Sequence, residues 1–225
     1  MDVADRLALD VDSDASVVDA VRRAGDVDAL VNNAGWSARG PIEKVPLDEV
    51  RRMFETNFFG AVRMIQALVP GMRRRGGGVV VNVSSLAGRV APPLNGFYAA
   101  SKWAIEGLSE ALKYEIGHFG IRTVVIEPGY IETGFGDRGS RHGTEDPPYD
   151  ELERIWSGTD GKLVGGQRPG PALVAVAIAD AVEGKDLRLR WPVGGDAELV
   201  TQVRRQMDDE TFEATMRKQL GLEHW

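Results

Sequence analysis

The chain of 225 residues contains no cysteine. That excludes disulfides, thiolate catalysis and cysteine-ligated zinc, and it fits a reducing cytoplasm. No apolar run reaches transmembrane length, and the acidic start Met1-Asp2-Val3-Ala4-Asp5 has none of the basic and apolar regions of a signal peptide, so neither a membrane span nor export is expected. Positive charge is in deficit: 27 Lys and Arg against 34 Asp and Glu give a net charge of −7. A nucleic-acid surface needs clustered cations. The one basic run, Arg73-Arg74-Arg75, is better placed at a helix C-terminus, where cations complement the macrodipole. The hydrophobic share, 43%, is ordinary for a soluble protein, and the length suits one α/β domain covering residues 1–225.

Apolar patterning predicts short buried strands over 7–11, 28–33, 78–84, 122–127 and 187–191. It predicts helices over 13–24, 47–75, 98–119 and 172–182, with one or two more over 197–220. Ser13 or Asp14 would cap the first helix, and Pro70 would kink the second. The glycines at 76–78 precede a strand and read as a turn between helix and strand. Residues 129–169 are polar and rich in glycine, proline and charge. That is too long for a routine connection, so short helices and a lid over about 130–168 are expected. Strands apolar throughout, alternating with helices, predict a doubly wound parallel sheet with helices on both faces.

The residues with chemical potential are Asn57, Ser85, Tyr98 and Lys102. Tyr98 and Lys102 lie four apart at the start of a predicted helix, so they share a face and set an ammonium beside a phenol. A free phenol, with a pKa of about 10, is a poor base at neutral pH; a cation at close range favours its ionised form. Ser85 follows a predicted strand whose C-terminal end faces the same crevice, where it can donate a hydrogen bond to a substrate oxygen. Taken singly, Tyr98 with Lys102 is also an amphipathic helix start, Ser84-Ser85 a strand-end turn, and Asn57 a polar residue in a long helix.

Order and spacing decide between these readings. Asn32-Asn33-Ala34-Gly35, Asn57, Asn82-Val83-Ser84-Ser85, Tyr98-Ala99-Ala100-Ser101-Lys102 and Pro128-Gly129 with Thr133 follow one another as in the short-chain dehydrogenase/reductase family, which the chain resembles from about residue 7 to residue 194. The 13-residue interval from Ser85 to Tyr98 selects Ser85 over Ser84. The resemblance implies a Rossmann-like fold and an oxidoreductase using NAD or NADP on an alcohol or ketone. Tyr98 would be the general acid/base, and Lys102 would lower its pKa and hold the nicotinamide ribose. Ser85 would position the substrate oxygen, and Asn57 would hold a water in a proton relay. By the same match, Asp10 and Val11 would face the adenine, and Asn33, Ala34 and Gly35 would pass the adenosine ribose. Pro128, Gly129, Ile131 and Thr133 would lie against the nicotinamide.

One departure matters. The family opens with a strand, a glycine-rich turn and a helix whose N-terminus faces the pyrophosphate, and nothing in this sequence fits that pattern. The expectation is therefore an N-terminally incomplete member, short of its first βαβ segment of roughly 50 residues, a length that exceeds the minimum for such a unit. The strand over 7–11 would then lack ladder neighbours, the strand at Asp28 would lie at an exposed edge, and either cofactor would bind weakly. A non-catalytic binding or scaffold protein, and a lyase or epimerase on the same fold, stay open as alternatives. Leu86, Val90, Pro92, Pro93, Leu94, Phe97, Tyr130, Phe135 and Trp156 suggest an apolar pocket for a lipophilic alcohol or ketone, unless they pack the core. Surplus apolar positions on the two long helices, together with the resemblance, imply a homo-oligomer.

Overall fold

The computed structural model describes residues 6–136, 139–163 and 168–225. The acidic start at 1–5, Gly165-Gly166 and the corresponding parts of the 130–168 segment lie outside the described residues.

Helix α1, Asp14–Ala24, starts where the Ser13 side chain accepts a hydrogen bond from the Ser16 N–H at 3.3 Å, and it ends at Gly25. Strand β1, Ala29–Asn32, is followed by the two-residue β2, Ala38–Arg39. The long apolar pattern becomes α2, Leu47–Phe54, a π-helical turn, Glu55–Phe59, and α3, Gly60–Arg75. Pro70 lies inside α3, which runs on to Arg75; the departure from α-helical hydrogen bonding falls upstream, at Asn57 and its neighbours. The three arginines end α3, and Gly76 stops it with a left-handed backbone (φ 76°) that a side chain would strain. Strand β3, Gly78–Val83, leads to a 3-10 turn, Leu86–Gly88, and then to α4, Gly96–Ile116. Strand β4 is Ile121–Pro128, β5 Ser140–Arg141 and β6 Arg190–Val193. The remaining helices are α5, Asp150–Leu163; α6, Ala172–Glu183; α7, Gly195–Gln206; and α8, Asp209–Leu220.

Strands β1, β3, β4 and β6 form one parallel sheet in that order, with Val31 opposite Val81, Val81 opposite Val124 and Ile126 opposite Trp191. Leu30, Val80 and Ile121 pack on one face with Val17 of α1, Ile65 and Leu68 of α3 and Leu112 of α4. Val79, Val81, Val124 and Ile126 pack on the other with Ala181 of α6. Alternation along fully buried strands thus feeds two cores, which is the doubly wound arrangement expected. A third cluster joins Leu152 and Trp156 of α5 to Leu94 and to Leu220 and Leu222 at the C-terminal end.

The strand expected over 7–11 does not form. The segment is irregular and largely exposed, with Leu9 at 43% exposure. Among the described residues no strand flanks it; its polar groups bond to nearby residues and, at the Val11 carbonyl, to Arg63 Nη1 at 3.3 Å. The Asp10 N–H donates to Ser16 Oγ at 2.8 Å, and the Asp10 side chain accepts from the Asp12 N–H at 3.0 Å. Strand β1 pairs with β3 and lies at the sheet edge, as expected. Strand β6 starts later than its apolar pattern suggests, because Asp186 and the Arg188 N–H close a turn at 2.9 Å. Within residues 129–169 the structure has the 14-residue α5, longer than expected, and β5, which pairs with β2. Among the described residues no helix is long and apolar enough to cross a membrane.

Candidate active site

The C-terminal end of β3, the start of α4 and the π-helical turn converge. Ser85 leaves β3 extended and caps the following 3-10 turn, its side chain accepting from the Ala87 N–H at 3.1 Å. Tyr98, in the first turn of α4, is half-buried, and the Ser85 side chain lies near enough to its phenol to favour the ionised form. One helical turn on, Lys102 is buried; its Nζ donates to the Val83 carbonyl at 2.9 Å and lies 5.7 Å from the centre of the Tyr98 ring. Asn57 is buried in the π-helical turn. Its Oδ1 accepts from the Trp36 N–H at 3.0 Å, and its Nδ2 donates to the Trp36 carbonyl at 2.9 Å and to Ser101 Oγ at 3.1 Å. The extra residue of a π-turn swings this side chain inward, a distortion common at functional sites. The structure therefore brings Ser85, Tyr98 and Lys102 to one place and ties Asn57 to them through Ser101 and the turn at Gly35.

The electrostatics differ from expectation in one respect. Burial pushes the Tyr98 phenol up to about 12, against a smaller lowering by the nearby Ser85 side chain. The expected lowering by Lys102 is absent, because that ammonium is turned onto the Val83 carbonyl and burial dominates. Burial likewise pulls Lys102 down to about 8, partly opposed by Glu106 one turn further along α4. Behind the site, Glu127 of β4 is fully buried. Burial, and then the Glu106 charge, push its carboxyl up to about 7 against the pull of Arg89, Arg190 and Arg205. Arg190 Nε lies 2.9 Å from Glu106 and 3.6 Å from Glu127.

The positions expected to meet a cofactor form two groups. Val11, Asn33, Ala34, Thr56, Asn57 and Val83 share a cavity of about 190 Å³ at the sheet end, and Asp10 lies exposed beside Val11. Asn33 and Ala34 are exposed. At Gly35 a Cβ would come within 3.0 Å of Asn57 Oδ1 and 3.8 Å of Lys102 Nζ, so the missing side chain leaves the backbone open beside the lysine. Lys102 uses one of its three donors. These features fit a ribose and an extended nucleotide backbone. The second group leaves β4. Pro128 ends the strand, the Gly129 N–H donates to the Val193 carbonyl at 2.9 Å, Ile131 is half-buried, and exposed Thr133 accepts from the Phe135 N–H at 3.2 Å.

Of the apolar positions expected to line a pocket, Phe135 stacks on Tyr98 with ring centres 5.6 Å apart. Leu94 and Trp156 are core residues between α5 and the C-terminus, and Phe97 packs with Val45 and Met53. Sequence reasoning missed Trp36, Ser101, Glu106, Glu127 and Asp196. Ser101 stood inside the quoted Tyr98-to-Lys102 string, and Glu106 stood at helical spacing from Lys102. The other three gave no local signal.

A family model described as short chain dehydrogenase matches residues 2–142. Two uncharacterized oxidoreductases of Schizosaccharomyces pombe are each 36% identical over 221 residues, covering 95% of this chain and 92% of theirs. A 3-ketodihydrosphingosine reductase of Bacteroides thetaiotaomicron is 42% identical over 135 residues, 58% of this chain and 50% of its own. Among solved structures, a short-chain dehydrogenase from Streptomyces avermitilis superimposes with a TM-score of 0.78 at 36% identity, over 95% of this chain and 79% of that one. A 3-oxoacyl-[acyl-carrier protein] reductase from Brucella melitensis, solved with bound NAD, gives 0.67 at 30% identity over 84% and 70%.

Proposed function

The chain belongs to the short-chain dehydrogenase family of oxidoreductases, and we infer that it moves hydride between NAD(P) and an alcohol or ketone, with Tyr98 as general acid/base. The observation that carries this reading is the convergence of Tyr98, the Ser85 side chain beside its phenol and a buried Lys102 whose Nζ lies 5.7 Å from the centre of the Tyr98 ring. The bound reduced nicotinamide would supply the hydride. Its ribose would be held by Lys102 and Tyr98, its ring side by Pro128, Gly129, Ile131 and Thr133, and its adenosine end by Asp10, Val11, Asn33, Ala34 and Gly35. The Brucella reductase with bound NAD supports a dinucleotide for this fold.

The phenol, pushed up to about 12, is protonated at neutral pH. In the direction of carbonyl reduction, a protonated phenol is the acid the step needs. Ser85 donates a hydrogen bond to the carbonyl oxygen, and Tyr98 gives its proton to that oxygen as alkoxide charge develops. Lys102 has two donors beyond the one on the Val83 carbonyl, and turning off that carbonyl would bring its ammonium to the phenolate left behind. Asn57 holds the turn at Gly35 beside the lysine, and the lone pair left on its Oδ1 is the place for a relay water. Phe135 on the Tyr98 ring gives the substrate side an apolar wall, which supports a lipophilic substrate. So does the similarity to a 3-ketodihydrosphingosine reductase. The single domain with a lid over about 130–168 belongs to the same reading.

The test is Tyr98→Phe, which deletes one hydroxyl. NADH and NADPH oxidation with a panel of aliphatic and aromatic ketones should fall at least about a hundredfold, as for loss of a general acid, while cofactor affinity stays within a few fold. Turnover within a few fold of wild type defeats the assignment.

A further inference from the structure

Asp196 is a buried carboxylate that the proposed chemistry does not use, at 5% exposure. It lies in the first turn of α7, and its Oδ2 accepts the Tyr130 N–H at 2.7 Å. The same carboxylate packs on Gly129, where a Cβ would come within 2.2 Å of both of its oxygens. The chain reaches this position through Gly194, whose φ of 104° only glycine adopts without strain. On the other side the Gly129 N–H is held by the Val193 carbonyl. Residues 129 and 130 are thus pinned from two directions by the segment that joins β6 to α7. A buried carboxylate is costly unless hydrogen-bonded. This one meets a backbone donor, the Tyr130 N–H, at the first turn of α7.

We propose that Asp196 is a positioning residue: its carboxylate fixes the backbone of Gly129 and Tyr130, and through it the wall against which the nicotinamide end of the cofactor rests. The proposal rests on the assignment of Pro128, Gly129, Ile131 and Thr133 to that wall. Asp196 acts through the backbone and touches no reacting atom. A residue that only started α7 would not control the Tyr130 amide.

The experiment compares Asp196→Ala with Asp196→Asn, which keeps an acceptor oxygen for Tyr130. Amide hydrogen exchange at Tyr130 should quicken at least tenfold in the alanine variant and stay within threefold of wild type in the asparagine variant. Titration with NADH and NADPH should show about a tenfold rise in Kd for alanine, largely rescued by asparagine. Gly129→Ala gives a second route that leaves Asp196 in place. Its methyl should displace the carboxylate and reproduce both effects, whereas Gly129→Ala added to Asp196→Gly should bring no further loss. Unchanged exchange and affinity in Asp196→Ala overturns the proposal, as does an asparagine variant no better than alanine. If wild type binds neither nucleotide, the cofactor reading fails on its own account, and the Tyr130 exchange rates still decide whether Asp196 holds this backbone.

Discussion

Lys102 is kept in the fold at a cost that can be measured. Burial lowers its pKa from 10.5 to about 8. Between those values the unfolded chain holds the lysine proton and the folded chain does not, so unfolding takes up a proton and stability rises with pH. Below pH 8 the full penalty applies, about 3 kcal/mol for a shift of this size. At pH 10 most of it has gone. Lys102→Met removes the titration, keeps most of the volume and gives up the bond to the Val83 carbonyl. The stability of wild type relative to this variant should therefore increase by about 2–3 kcal/mol from pH 7 to pH 10. Urea unfolding of both proteins at the two pH values reads it directly. The contribution of Glu127 is common to both and cancels. At pH 7 the variant should be as stable as wild type or more so, yet nearly inactive, the pattern of a residue retained for function against stability. A wild-type-minus-variant difference that moves by less than about 0.5 kcal/mol, within the usual scatter of surface substitutions, would show that the ammonium is not held at the depressed pKa the geometry implies.

Three further outcomes follow from the same structure. Glu127, pushed up to about 7, holds its proton more tightly folded than unfolded, so its contribution to stability should fall as pH rises from about 4.5 to 7. Glu127→Gln should flatten that slope in thermal unfolding, and an identical slope would refute it. Asn82 is fully buried, accepting from Asn32 at 2.9 Å and donating to Ser109 at 2.8 Å. Asn82→Ala should cost about 1–3 kcal/mol in urea unfolding because it strands both partners, and a loss under about 0.5 kcal/mol, within surface scatter, would mean that chain is not structural. Phe59, Trp103 and Tyr114 project from the two long helical stretches at 47%, 51% and 78% exposure. A homo-oligomer covering them should appear in light scattering, and a stable monomer at micromolar concentration would count against it.

The sequence alone determined the layering, because that rests on periodicity. Val79, Val80 and Val81 are apolar on both sides of a strand, and a strand buried on both faces in a βα alternation has to be parallel. It also supplied the candidate set, since helical spacing puts Tyr98 and Lys102 on one face, Ser85 follows a strand, and the ordered blocks around them resemble the family. The segment over 7–11 shows where this kind of reading stops. Its composition suits a strand, but a strand exists only with a hydrogen-bonded neighbour, and that is a property of the whole sheet. Tertiary structure alone decided the direction of the pKa shifts: burial raises the phenol while the lysine is turned onto the Val83 carbonyl, and no spacing encodes that. The same holds for Asp196 and Tyr130, 66 residues apart in sequence and joined by one hydrogen bond. Local pattern fixes which face a residue occupies; the partner it meets there is set by how the faces close on one another.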